Sequence, residues 1–258
     1  MNTRAVQQSP VVAQTSPQVC SVSLFAPLHW IAAGVDDLRY APFHGLFYGL
    51  LFTAACGLTF FLVSGLPWFT IAFLTGLLLI GPYLASGLYL AARQRASGQP
   101  VSVRAALTVL AERKTNMAFY GVFLALVMVV WVRLAALLFA IQFTSMSPTI
   151  EDYLGILSGD GDPWVLAFFV GIGLVLAVTV FVTSAVSVPL IIDRDQDPLS
   201  AIRTSVDAVV RNWPAMSLWA ALIVILTAVG VATLGVGLVV LFPVLGYATW
   251  HSYRDLVA

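Results

Sequence analysis

Charge is scarce in this chain. Only 9% of its 258 residues are Asp, Glu, Lys or Arg, against about a quarter in a soluble domain. Sixty per cent are hydrophobic and the mean hydropathy is +0.96, which excludes a water-soluble globule. Twelve basic residues balance twelve acidic ones, so no general basic surface for nucleic acid exists. Cysteine is almost absent. Cys20 lies in a polar N-terminal stretch and Cys56 in an apolar run, which excludes a disulfide framework, and no lipobox precedes Cys20. Residues 1–22 lack the apolar core of roughly 7–15 residues that a secretory signal needs. Their Gln, Ser, Thr, Pro and Val predict a disordered cytoplasmic tail, ahead of a membrane domain over 23–258.

What the chain has instead is long runs without charge. No Asp, Glu, Lys or Arg occurs between Arg39 and Arg93, or from Ala215 to Tyr253. A helix needs about 20 residues to cross a bilayer, so each run holds two crossings. Ser64-Gly65-Leu66-Pro67 and Gly230 to Gly237 supply the turns. Six spans follow: Phe43–Val63, Trp68–Ala91, Met117–Phe139, Trp164–Ile191, Ala215–Val229 and Leu234–Tyr253. All basic residues except Arg133 then fall on one side, and Glu151, Asp152, Asp160 and Asp162 on the other. Positive charge is retained on the cytoplasmic side, so the expectation is a multi-pass protein of the bacterial inner membrane with both termini in the cytoplasm.

Three segments on that side have helical periodicity. Leu199, Ile202, Val206 and Val209 form one stripe behind an Asp197-Pro198 start. Leu28, Ile31, Val35 and Leu38 repeat that spacing behind Pro27, and Val103, Ala106, Leu107 and Leu110 lie behind Ser102. These predict amphipathic interfacial helices. They also suggest an internal repeat of helix-plus-hairpin units. Pro27-Leu28, Ile31, Val35 and Asp36 match Pro198-Leu199, Ile202, Val206 and Asp207. Gly76-Leu77, Pro82 and Arg93 match Gly237-Leu238, Pro243 and Arg254. A middle unit over about 100–194 fits less well, Asn116 matching Asn212. The fold class expected is therefore all-α: six transmembrane helices, three interfacial helices and a parallel repeat.

Several stretches carry a resemblance. They are Val35-Asp36-Asp37-Leu38, Leu46-Phe47-Tyr48-Gly49-Leu50-Leu51-Phe52, Gly81-Pro82, Arg133-Leu134-Ala135-Ala136-Leu137-Leu138-Phe139, Asp193-Arg194-Asp195 and Gly246-Tyr247-Ala248-Thr249-Trp250-His251. Over about residues 28–256 the chain resembles a bacterial family of predicted integral membrane proteins, domain-of-unknown-function family 2189. The resemblance implies an inner-membrane protein and brings no activity with it. The family's residue at the position of Tyr247 is more often His.

Three side chains stand out as candidate functional residues: Arg133, Asp193 and Arg194. An arginine inside a span is costly. Arg133 follows Met117 by 16 residues, about 24 Å along a helix, so it is expected to snorkel outward toward Glu151 or Asp152. An anion or lipid-headgroup site there is the sharper alternative. Asp193-Arg194-Asp195 ends span four, either as a solvated helix end or as a contact point for a partner or headgroup. Asp36, Asp37 and Asp207 are weak candidates for a cation, lacking a fixed loop. His29, His44 and His251 all lie near the cytoplasmic interface, which disfavours haem or copper between facing histidines. A pairing of His44 with His251 stays open. No phosphate loop, metal-spaced His/Glu helix or Ser/His/Asp arrangement occurs. No catalytic residue, cofactor-binding residue, metal ligand or cofactor is therefore expected. The chain reads as a non-enzymatic accessory or scaffold protein, with membrane lipids and a membrane-protein partner or a second copy as its contacts. A small transporter or channel is the alternative.

Overall fold

A computed structural model describes residues 17–63, 67–142 and 163–258. The described residues form twelve helices: α1 (Ala26–Tyr40), α2 (Pro42–Val63), α3 (Pro67–Leu79), α4 (Gly81–Leu84), α5 (Ser86–Ala96), α6 (Val103–Glu112), α7 (Lys114–Gln142), α8 (Pro163–Ser184), α9 (Ser187–Arg194), α10 (Pro198–Arg211), α11 (Trp213–Ala232) and α12 (Leu238–Leu256). Among the described residues four stretches are long and apolar enough to cross a membrane: Pro42–Leu62, Lys114–Leu137, Val170–Arg194 and Trp213–Ala232. They correspond to the expected spans one, three, four and five. Span five is longer than its expected bounds, because Trp213 and Pro214 already belong to the helix.

The other two expected spans take a different form. Trp68–Ala91 is divided among α3, α4 and α5, with breaks at Ile80 and Ala85. Pro82 lacks an N–H and its ring crowds the preceding turn, which interrupts one long helix. Span six becomes α12, which starts at Leu238 after a turn with Leu234 and Gly235 at positive φ. Its second half carries His251, Tyr253, Arg254 and Asp255, so polarity, more than length, sets it apart from the other spans. The expected turn at Ser64–Leu66 and the acidic segment Glu151–Asp162 lie outside the described residues.

Span four also breaks, between α8 and α9. Pro189 has no N–H for the carbonyl of Ala185 one turn back. The adjoining step of the ladder, from Val186 to Val182, is bridged from outside. The buried Ser205 hydroxyl on α10 donates to Val182 O (2.7 Å) and accepts from Val186 N (3.2 Å). It thus sits between an amide and a carbonyl that would otherwise pair. On α7, Tyr120 adds bonds to Thr183 O (3.2 Å) and Ser184 Oγ (2.7 Å). Irregular backbone at membrane depth persists only where protein supplies its hydrogen bonds.

The three amphipathic helices form, with caps of the expected kind. Ser102 accepts from Ala105 N and Asp197 from Ser200 N. Their buried faces overlap the apolar stripes only at Ala106 and Val209. In α10 the buried residues are Ala201, Thr204, Ser205, Ala208 and Val209, while Leu199 is exposed and Ile202 and Val206 are half-buried. In α6 only Ala106 is buried, and in α1 the inward set includes Trp30, Gly34 and Asp37. Small side chains let backbones approach closely, and the larger apolar residues are displaced to the flank. Gly34 is the sharpest case. A Cβ there would lie 2.5 Å from Val244 O of α12.

The core sits where α5, α9 and the second half of α12 converge, ringed by α1, α6 and α10. Trp30, Leu88, Tyr89, Ile191, Trp219 and Trp250 are fully buried there. Trp30 meets Trp219 edge-on at 5.7 Å, and on the opposite half of α12 Phe242 stacks on Phe52 of α2 at 4.0 Å. Large apolar residues elsewhere on α2, α7, α8 and α11 are exposed, as expected where lipid replaces water.

Candidate functional site

The converging ends carry the ionisable residues, and the structure ties these together. Asp193, at the end of α9, is the hub. Its Oδ1 lies 2.9 Å from Arg93 Nε on α5. Its Oδ2 accepts from Tyr253 on α12 at 2.8 Å and lies 3.9 Å from Arg254. One carboxylate therefore joins three helices. Arg194 faces the other way, donating to Ala258 O at 2.7 Å and to Val257 O at 3.3 Å. Asp195 takes a left-handed conformation, φ 53°, at the helix end. It pairs with Arg113 at 2.6 Å and accepts from Asn116 Nδ2 at 3.1 Å.

A second junction lies on the other flank of α12. Asp37 of α1 is buried, with its side chain 6% exposed. One oxygen pairs with Arg95 of α5 and the other meets His251 Nε2 of α12 at 2.8 Å. The Arg95 guanidinium also stands 4.8 Å over the Tyr40 ring. A buried carboxylate needs such partners, because its desolvation is otherwise uncompensated. Beside it Tyr247 Oη is buried with no hydrogen bond. Trp30 adds a second tie between α1 and α12, its indole N–H donating to Asp255 at 2.7 Å.

These positions answer the sequence expectations individually. Asp193 and Arg194 are at the centre of the polar end. Arg133 is on an exposed face of α7, away from both junctions, and Glu151 and Asp152 lie outside the described residues. The three aspartates considered for a cation do not meet. Asp37 is paired as above, Asp36 pairs with Arg39 at 3.5 Å, and Asp207 is exposed. Among the described residues no cluster of three His, Cys, Asp or Glu has metal-binding geometry. His44 packs on Tyr48, ring centres 5.1 Å apart, rather than on His251.

Sequence reasoning missed the partners of Asp37 and Asp193. A signal existed for Asp193. Arg93 and Arg254 occupy matching places in their spans, and the corresponding end of span four carries an acid instead. For Asp37 no local signal existed, since its partners lie 58 and 214 residues away.

No curated protein and no solved structure matches the chain. A family model described as "Predicted integral membrane protein (DUF2189)" matches residues 69–193, a narrower stretch than the 28–256 over which the resemblance reads. The match begins in α3, includes Gly81-Pro82 and Arg133–Phe139, and ends on Asp193. The chain is thus an integral membrane protein with several apolar helices, and its residues 69–193 match the model of this uncharacterised family of predicted integral membrane proteins.

Proposed function

We propose that the chain is a non-enzymatic scaffold of the bacterial inner membrane. It crosses six times, with both termini cytoplasmic, and presents a rigid cytoplasmic plate to lipid headgroups and to a partner protein or second copy. The observation that carries this reading is the Asp193 hub, which locks the ends of α5, α9 and α12 over a filled apolar core. Return geometry supports six crossings. The chain leaves the plate at Ala41 along α2 and is back at it by Arg93, so α3, α4 and α5 together make the return. It leaves again at Asn212 along α11 and is back by Arg254, so α12 does likewise.

Packing also supports three parallel units. Each interfacial helix leans on the returning helix of the unit before it in cyclic order: α6 on α5, α10 on α9 and α1 on α12. The exposed Leu28, Leu107 and Leu199 then point from the rim of the plate toward the bilayer interface. The alternative, an anion or lipid-headgroup site at Arg133 serving a transporter, needs walls around the guanidinium. Its exposed place on α7 favours hydration at the far interface instead.

Two measurements test the scaffold. Photocrosslinkers placed at Arg203 and Lys114, both exposed on the plate, should give discrete adducts in native membranes. Proteoliposomes of the purified chain should pass phosphate and chloride no faster than empty vesicles. Saturable anion flux that disappears with Arg133→Ala would replace this reading with the transporter.

A further inference from the structure

Residues 17–22 run extended across the plate and are gripped through their main chain. Cys20 N donates to Leu256 O at 2.9 Å and Ala258 N donates to Gln18 O at 3.0 Å, on either side of an antiparallel bridge between Val19 and Val257. Along the opposite edge Arg211 donates to Val19 O at 2.7 Å. Asn212 then does what a neighbouring strand would do. Its Nδ2 donates to Cys20 O at 2.9 Å, and its Oδ1 accepts from Val22 N at 2.9 Å. The Asn212 side chain is buried and steered by a further bond to Ala208 O at 3.0 Å. Arg194 braces the facing segment by holding the carbonyls of Val257 and Ala258. Val19 and Val22 pack on the core, while Gln18 and Ser21 face outward.

Every bond that reaches the 17–22 strap ends on one of its main-chain atoms. A slot that grips backbone from both edges accepts an extended segment by shape and selects only the side chains that point inward. Here those are two small apolar side chains three residues apart. We propose that Asn212, Arg211, Arg194 and residues 256–258 form an extended-peptide site that the chain fills with its own residues 17–22. A segment of the same pattern takes that place when the strap is released. This gives Arg194 a task at the plate, and it holds whether or not the plate serves as a scaffold.

The test uses the full chain in nanodiscs, with Cys56→Ser so that Cys20 is the sole thiol. Val19→Asp with Val22→Asp should release the strap, seen as Cys20 reacting with a maleimide roughly tenfold faster. A labelled synthetic peptide with the sequence of residues 17–24, Ser replacing Cys20, should then bind saturably. Its affinity should be at least about tenfold above that for the chain with the native strap, a difference of about 1.4 kcal/mol. Asn212→Ala in the released chain should abolish binding, and Arg211→Ala should weaken it several-fold. Equal binding to both chains, or indifference to both slot substitutions, would overturn the proposal. So would no saturable binding to the released chain up to about 1 mM peptide. Unchanged Cys20 labelling would also sink it, because the two valines would not be holding the strap. A released chain that fails to fold counts against it too, since the strap would then be a structural member and not a ligand.

Discussion

At the scale of single residues, the buried carboxylate of Asp37 does the most work. Asp37→Asn leaves Arg95 and His251 facing an amide. Removing one member of a buried pair costs about 3–5 kcal/mol, and the partial exposure of Arg95 places this case near about 3. Loss of the native state at lower denaturant or temperature than wild type checks it. An unchanged midpoint would mean that α1 and α12 are held by packing alone. Asp197 gives a milder case with a definite pH sign. The hydrogen bond from Ser200 holds its carboxyl below the usual range, so the folded state favours the charged form. That contribution is present above the usual carboxylate value of about 3.9 and is lost as pH falls through the lowered one. Asp197→Ala should cost about 1 kcal/mol at neutral pH, and Asp197→Asn much less, because Asn caps as well. Comparing acid titrations of the three chains checks both statements. Arg133→Lys should be tolerated, since an ammonium also reaches the interface. A marked loss of stability or expression would point to bidentate contacts of the guanidinium. Asp193 and Arg194 were legible in the sequence as residues to watch, because they end a span. Their partners were not, because periodicity reports which face a residue shares with its neighbours and says nothing of a helix far along the chain.

At the scale of elements, local patterning located the helices but left open whether their apolar stripes face lipid or the bundle. The apolar stripe of α10 is real, yet Ala201, Thr204, Ser205 and Ala208 lie inward. Hydrophobicity identifies what leaves water. In a bilayer lipid is as welcome a neighbour as protein, so close packing goes to the small face. Two substitutions separate these roles. Ala201→Leu should disrupt the packing of α10 on α9, because Ala201 is fully buried; overpacking costs about 1–3 kcal/mol. Ile202→Asp with Val206→Asp should spare that packing but weaken association with the bilayer. If the aspartates proved the more damaging to the detergent-solubilised fold, the assignment of faces would be reversed. Proline alone does not mark the breaks: Pro82 and Pro189 lie beside them, while Pro243 sits inside an unbroken α12. The groups that bridge the break in span four come from other elements. Ser205→Ala should therefore cost about 1–3 kcal/mol, the price of buried main-chain groups left unpaired, and hydrogen exchange should quicken around 182–186.

At the scale of the whole molecule, the four helices long and apolar enough to cross a membrane were legible because charge-free length is a long-range property that composition carries directly. Reporter fusions at Ala258 and within Met146–Asp162 should report opposite compartments, and the same compartment for both would remove the six-crossing topology. The arrangement of those crossings was not legible, since nothing local marks α12 as the helix on which α1, α2, α5 and α11 all lean. That placement has a consequence for the order of events at the ribosome. Trp30 bonds to Asp255, 225 residues later. At synthesis rates of about 5–20 residues per second, α1 waits roughly 10–45 s for its partner. During that interval a tryptophan, a glycine notch and an acid destined for burial are presented to whatever surrounds the nascent chain. The earlier helices can insert, but the ties that α1 makes with α12 stay unformed until that helix emerges.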